Sequence, residues 1–273
     1  MYSSGKCDGA HGFRIPGGLR YGRFMATTTK ERLDQLLVQR GLAESRAKAQ
    51  ALVLAGLVWS GDKRLDKPGQ SLTADAVLEV RGKPHPWASR GGIKLSHALA
   101  HFSIDPSGGI CLDIGASTGG FTDVLLQAGA AKVYAVDVGH GQLDWRLRQD
   151  SRVVVLERTN ARHLTRVEVP DRIELIVCDA SFIGLRTVLP ASLKLAALGA
   201  RLIALIKPQF EVGPERVGKG GVVRDPALHA EVCERIVKWL GAQAGWHVLG
   251  VVESPITGPE GNKEFLIGAE LHP

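Results

Sequence analysis

Cysteine is scarce in this chain. Its four cysteines, Cys7, Cys111, Cys178 and Cys233, lie far apart and form no Cys-x-x-Cys pair. That excludes the common zinc arrangements and a disulfide scaffold, and it fits a reducing compartment such as the cytosol. The nine histidines show no ligand spacing either, so no metal is expected. Long hydrophobic runs are also missing. The longest apolar stretch, 51–59, is far short of the roughly 18 residues that cross a bilayer. Residues 1–24 lack the apolar core of a secretion signal and read poorly as an amphipathic organelle-targeting peptide. No internal repeat is visible. Disorder of the whole is excluded by composition, 44% hydrophobic and 23% charged.

What is present is an uneven charge. The net +6 over 273 residues is confined to the first third: +3 in residues 1–24, +3 in residues 25–83, and zero in residues 84–273. Mild basicity fits a nucleic-acid partner, and its location matters more than its size. Residues 1–24 are rich in glycine and arginine, and Met25 begins a more ordinary texture. The expectation is a disordered extension, upstream of the folded chain.

From residue 25 to 83 the pattern is a small α+β unit. A helix is expected over 30–39, with Leu33, Leu36 and Leu37 on one face and Gly41 as its stop. A second helix over 46–55 follows, with Ser45 as N-cap and Gly56 as terminator. Strands are expected over 57–60 and 76–80, with Gly61-Asp62 a turn between them, and the prolines of residues 84–89 mark a linker. Beyond it, apolar strand-like runs at 110–114, 133–136, 153–156, 173–178, 201–206 and 248–252 alternate with helical segments. The helices are expected over 91–102, 121–128, 185–197 and 227–240. Such alternation predicts an α/β domain over 90–273 with a doubly wound, mostly parallel, Rossmann-like sheet.

The small unit carries a recognisable spacing: Arg32-Leu-Asp34, Gly41-Leu-Ala, Ser45-Arg46-Ala-Lys48-Ala, Ala55-Gly56-Leu-Val, Gly61-Asp62-Lys63 and Lys67-Pro68-Gly69. Over about 25–81 this resembles the S4 RNA-binding domain. Arg46 and Lys48 open the second helix, whose free N–H groups also favour phosphate. Arg32, Lys63 and Arg64 are expected to add to that face, with Ser45 and Lys67 beside them. Such charges read the RNA backbone and shape rather than base sequence.

In the large domain, Asp113-Ile-Gly115-Ala116-Ser117-Thr118-Gly119-Gly-Phe-Thr follows a strand and opens a helix. The dinucleotide pattern G-x-G-x-x-G fails, because Ser117 stands where its second glycine belongs. An acid before the turn suits a cationic amino-acid end better than a diphosphate, and Asp137, ending the next strand, suits ribose hydroxyls. The pattern resembles class I methyltransferases, which use S-adenosylmethionine; Asn160, after the third strand, is placed beside the adenine.

Lys94, Asp179, Lys207 and Glu264 complete the reading. Asp179 and Lys207 each end a strand, where open α/β sheets bind ligands, and Glu264 begins the expected last strand. The set resembles the Lys–Asp–Lys–Glu tetrad of FtsJ-like RNA 2′-O-methyltransferases. With the S4-like unit, residues 25–273 resemble the TlyA family. The phrases Ser89-Arg90-Gly-Gly-Ile-Lys94-Leu, Lys207-Pro-Gln-Phe-Glu211 and Gly220-Gly-Val-Val-Arg-Asp225 carry that likeness. The resemblance implies ribosomal RNA or ribosomal subunits as partner and cytidine 2′-O-methylation as activity. Asp179 is then both tetrad member and neighbour of the cofactor, and Arg90 joins the RNA contacts. A lysine deprotonates a ribose hydroxyl only if its own pKa falls; burial and neighbouring cations push it down, while Asp179 and Glu264 push it up. Lys207 is read as base or orienter and Lys94 as the group steering the hydroxyl or a phosphate.

The glycine-rich segment 211–224 is read as a mobile loop closing on RNA, and His85-Pro86-Trp87-Ala88 departs from the Arg-x-Trp-Val-like linker of TlyA relatives. Two other classes stay open. One is a non-catalytic ribosome assembly factor, disfavoured by the complete tetrad. The other is a membrane-lytic haemolysin, a label this family carries, for which no membrane segment speaks.

Overall fold

The computed structural model describes residues 30–43, 45–81, 85–258 and 260–272. The extension at 1–24, Cys7 and linker residues 82–84 lie outside them. The described residues fall into two compact units, one ending by residue 81 and one beginning at His85.

In the first unit, β1 (Lys30–Arg32) leads into α1 (Leu33–Gln39), followed by α2 (Arg46–Leu54), β2 (Val58–Ser60), β3 (Lys63–Arg64), β4 (Ser71–Thr73) and β5 (Glu79–Val80). The helix expected over 30–39 therefore starts three residues late. Arg32 is extended, and β1 pairs antiparallel with β4. The first helical N–H groups, of Leu33 and Asp34, donate to the carbonyls of Gln70 and Pro68. A distant turn thus replaces the local cap, which no local pattern reveals. Ser45 does cap α2, accepting from the Lys48 N–H at 3.2 Å. The strand expected over 76–80 shrinks to β5, because Ala76 N–H bonds back to the Thr73 carbonyl in a turn. β3, β2 and β5 form a second antiparallel sheet. Leu33, Leu37, Ala49, Val53, Val58 and Leu65 make the core.

The second unit is one seven-stranded sheet. Its strands are β6 (Ile110–Ile114), β7 (Lys132–Val136), β8 (Val153–Leu156), β9 (Ile173–Cys178), β10 (Ala196–Ile206), β11 (Trp246–Glu253) and β12 (Phe265–Leu271), in the order β11-β12-β10-β9-β6-β7-β8. From β10 to β8 the pairings are parallel; β12 runs antiparallel to both neighbours. The helices are α3 (Gly91–His101), α4 (Gly120–Gln127), α5 (Trp145–Arg148), α6 (Leu185–Leu193) and α7 (Pro226–Gly241). One apolar layer packs α3 and α4 on one face of the sheet, and a second packs α6 and α7 on the other. This is the α/β, Rossmann-like architecture expected.

The largest differences from expectation lie around α6 and β10. α6 stops at Leu193 rather than 197, because the Leu195 carbonyl accepts from Ile173 N–H and the chain joins the sheet at Ala196. That lengthens β10 backwards, through a bulge between Ala196 and Arg201. The short α5 had no sequence signal. From β6 the chain winds to β7 and β8 on one side, then crosses to β9 and β10 on the other. The switch point lies between β6 and β9, where such sheets bind ligands beyond the strand ends.

Candidate functional site

At that switch point the turn after β6 and the segment after β9 press together. Gly115 has φ +82°, and a Cβ there would sit 2.9 Å from the Asp179 carbonyl oxygen. Only glycine allows this approach. Beside it opens a cavity of about 630 Å³, within the ordinary range for small-ligand sites. Gly115, Ser117, Asp137, Asn160 and Asp179 all line it.

Asp137 accepts from the Ser117 N–H at 2.8 Å and the Gly139 N–H at 2.7 Å, so backbone amides aim its carboxylate. Asn160 both lines the cavity and caps a short turn, accepting from Arg162 N–H at 3.1 Å. Asp113 departs from expectation. It is completely buried beneath the turn and is not part of the cavity wall. Its Oδ2 accepts from Thr122 Oγ1 at 2.7 Å, while its Oδ1 is buried without a partner. Burial pushes its carboxyl up to about 7, against the pull of the Thr122 hydrogen bond. Gly119, left-handed at φ +92°, also stands off the wall and lets the chain turn into α4.

A second cavity of about 260 Å³ adjoins the first and contains all four tetrad residues, with Arg90, Ala116 and Thr118 on its wall. Lys94 Nζ lies 2.6 Å from Glu264 Oε2 and 3.8 Å from Asp179 Oδ2. Lys207 Nζ lies 2.6 Å from Asp179 Oδ1 and donates to Ser181 Oγ at 2.9 Å. Four residues from α3, β9, β10 and β12 thus form a chain of alternating charge, Glu264–Lys94–Asp179–Lys207. Both lysines and Glu264 are buried, which is tolerable only because they are paired. Residues 85–89 serve this end of the unit. Ala88 N–H donates to Asp123 Oδ2 at 2.7 Å, and the Trp87 ring covers Gly92 so closely that a Cβ there would meet it at 2.6 Å.

Sequence reasoning missed Ser181 and Phe182. Ser181 lines both cavities and a third of about 410 Å³, and Phe182 lines the first and the third. Phe182 is 90% exposed at φ +63°, its ring 5.1 Å from that of Phe210. An exposed aromatic in a strained backbone is the one signal the local sequence Asp179-Ala-Ser-Phe does not carry. The segment 211–224 is also not the loose loop expected. Arg216 makes a two-point ion pair to Glu231, and the buried Asn262 accepts from Val223 N–H at 3.0 Å and donates to the Gly221 carbonyl at 2.9 Å.

In the small unit, Arg32 and Arg46 converge on Asp34. Asp34 is fully buried and receives two bonds from Arg32 at 3.0 Å, one from Arg46 at 2.9 Å and one from Gln50 at 2.9 Å. These bonds hold its carboxyl well below the usual range. The turn of Lys67 packs on Arg32 through Gly69. Lys48 is exposed beside them, whereas Lys63 and Arg64 stand on the other sheet, joined to this group by no described hydrogen bond or ion pair.

Both units match known families. A model described as FtsJ-like methyltransferase matches residues 87–271, and an S4 domain model matches residues 31–78. The chain is 49% identical over 239 residues to a 16S/23S rRNA (cytidine-2′-O)-methyltransferase, TlyA, of Mycobacterium tuberculosis, covering 87% of this chain and 89% of that protein. It is 41% identical over 237 residues to Hemolysin A of Brachyspira hyodysenteriae, covering 86% and 98%. A solved structure from Streptococcus thermophilus, bearing a provisional hemolysin name, superposes with a TM-score of 0.71 at 43% identity over 90% of each chain.

Proposed function

This chain belongs to the FtsJ-like methyltransferase family, as a TlyA relative with an S4 domain ahead of the catalytic fold, and we propose that it is an S-adenosylmethionine-dependent rRNA (cytidine-2′-O)-methyltransferase acting on 16S rRNA, 23S rRNA or both. The observation that carries this reading is the convergence of Lys94, Asp179, Lys207 and Glu264 at the sheet's switch point. The residues beside them fit the cofactor. Asp113 keeps an unpartnered oxygen for a cationic amino-acid end, Gly115 leaves its backbone bare, and Asp137 and Asn160 line the larger cavity. Of the expected set, Gly115, Ser117, Asp137, Asn160 and Asp179 line the larger cavity and Ala116 and Thr118 the second, while Asp113 and Gly119 lie behind the wall and shape the turn.

When bound, S-adenosylmethionine supplies an electrophilic methyl group on a sulfonium centre. The chain's own work is on the ribose. Asp179 and Ser181 hold the Lys207 ammonium group at the floor of the second and third cavities. From there Lys207 orients the 2′-hydroxyl and, once it has given up its own proton and stands as the neutral amine, takes up the hydroxyl proton. Glu264 fixes Lys94, which steers the hydroxyl or its neighbouring phosphate. Because attack on a sulfonium methyl must be in line, this positioning carries much of the rate. The S4 unit grips rRNA through Arg32, Arg46, Lys48 and Lys67, with Lys63 and Arg64 as a separate contact, and Arg90 meets RNA at the mouth of the tetrad cavity. The site of action is then the cytoplasm, on rRNA or ribosomal subunits. A lytic role gains nothing from the fold: among the described residues no helix is long and apolar enough to cross a membrane.

The test is transfer of a labelled methyl group to ribosomal subunits from a strain lacking the gene. The purified protein is expected to label them, and Lys207→Ala to lose at least about 100-fold in rate while binding S-adenosylhomocysteine as before. Full transfer by Lys207→Ala overturns the role of Lys207. No transfer by the wild type to any subunit overturns the enzyme reading in favour of a non-catalytic assembly factor.

A further inference from the structure

The third cavity, about 410 Å³, shares Ser181 and Phe182 with the large cofactor cavity and Lys207 and Glu264 with the tetrad cavity. Lys207, Glu264 and Ser181 form its floor, and Phe182 and Phe210 stand in its wall. Anything whose hydroxyl reaches Lys207 from this side places its next few atoms in this space. For a ribonucleotide, those atoms are the ribose, with the base on C1′ and the 3′-phosphate on C3′, and of the two the base is the one that fits beside Phe182 and Phe210.

The polar groups there can be sorted by what they already do. Lys207, Ser181 and Glu264 are committed to the tetrad. The Asn262 amide is committed to Val223 and Gly221. Two groups remain. Gln209 makes no hydrogen bond among the described residues, and its Oε1 is buried without a partner. Glu260, a solvent-exposed residue, lines the same cavity and makes no hydrogen bond or ion pair among the described residues. A buried carbonyl oxygen without a donor costs free energy, and a ligand N–H recovers it. Glu260 offers only oxygen acceptors, and Gln209 an amide that can turn either its oxygen or its NH₂ to a ligand.

Resting on the cytidine methyltransferase reading, we propose that this cavity is the subsite for the target base and that Gln209 and Glu260 select cytosine through its exocyclic amine. Enzymes that do chemistry on a base take it out of the stack and read its Watson–Crick edge; a target nucleotide held by its 2′-hydroxyl at Lys207 offers the same edge to this cavity when its base is unstacked. On that edge cytosine carries an N4 amine, a donor, where uracil carries a carbonyl, an acceptor. A carboxylate accepts from the cytosine amine and repels the uracil carbonyl. The two residues divide the task. Gln209, whose amide offers either a carbonyl or an NH₂, supplies affinity and can turn over to serve uracil. Glu260 has no donor at neutral pH and supplies the discrimination.

The experiment uses full-length protein and ribosomal subunits carrying either C or U at the mapped target position. Wild type is expected to prefer C. Gln209→Leu is expected to lower kcat/KM on C about tenfold, and Glu260→Gln to narrow the C-to-U preference by raising transfer to U. Both variants are expected to keep wild-type affinity for S-adenosylhomocysteine and a wild-type Tm. If wild type methylates C but both variants keep its kcat/KM and its C-to-U ratio, the base subsite is overturned while the enzyme reading stands. If wild type methylates no rRNA, the enzyme reading falls and this proposal falls with it.

Discussion

Two buried aspartates show how partners decide what burial does. Asp34 and Asp113 are both fully enclosed. Asp34 receives donors from Arg32, Arg46 and Gln50 and stays ionised far below the usual range. Asp113 has one hydroxyl partner and rises to about 7. Because that value lies above its ordinary 3.8, ligand-free protein is expected to lose stability as pH climbs from about 4 towards 7 and then to level off. A bound cationic ligand favours the ionised form. Affinity for S-adenosylhomocysteine, followed by calorimetry, is therefore expected to rise with pH through about 7, and Asp113→Asn to remove that part of the slope. A flat wild-type profile separates Asp113 from the ligand's amine. For Asp34→Ala, several charge-assisted bonds vanish at once. The expected loss is on the order of 2 kcal/mol in denaturant unfolding, with weaker RNA binding at low salt because Arg32 and Arg46 lose their common anchor.

At the level of elements, legibility followed burial. β6 and β9 begin and end where their apolar runs do, because central parallel strands are covered on both faces and read as continuous hydrophobic stretches. β1, β4 and α5 were not legible. Each is three or four residues long, too short for a period to show, and β1 and β4 depend on each other across about forty residues. The tetrad was legible because each member stands in a long motif; Ser181, Gln209 and Asn262 were not, since a single polar residue gains meaning only from what converges on it. Asn262 also explains why segment 211–224 is latched rather than loose. It is 1% exposed and bonds that segment at Val223 and Gly221, two residues before Glu264. Asn262→Ala leaves the Val223 N–H buried without a partner. It is expected to cost about 1–3 kcal/mol and to raise protease sensitivity within 211–224. An unchanged cleavage pattern shows that the latch is not what holds the segment.

Across the whole molecule, charge and chemistry are divided. Half of the +6 lies in residues 25–83 and none in the neutral span 84–273. The small unit is thus expected to supply most of the salt-dependent affinity for RNA, the large unit the reacting groups. Removing residues 1–83 is expected to leave binding of S-adenosylhomocysteine intact while RNA affinity falls and its dependence on salt flattens. An unchanged salt slope contradicts that division. The most direct measurement is a map of 2′-O-methylated nucleotides in rRNA from cells with the gene, without it, and with its Lys207→Ala allele. At least one 2′-O-methylcytidine is expected with the wild-type gene and absent from the other two. An identical map in all three contradicts an rRNA 2′-O-methyltransferase that works through Lys207.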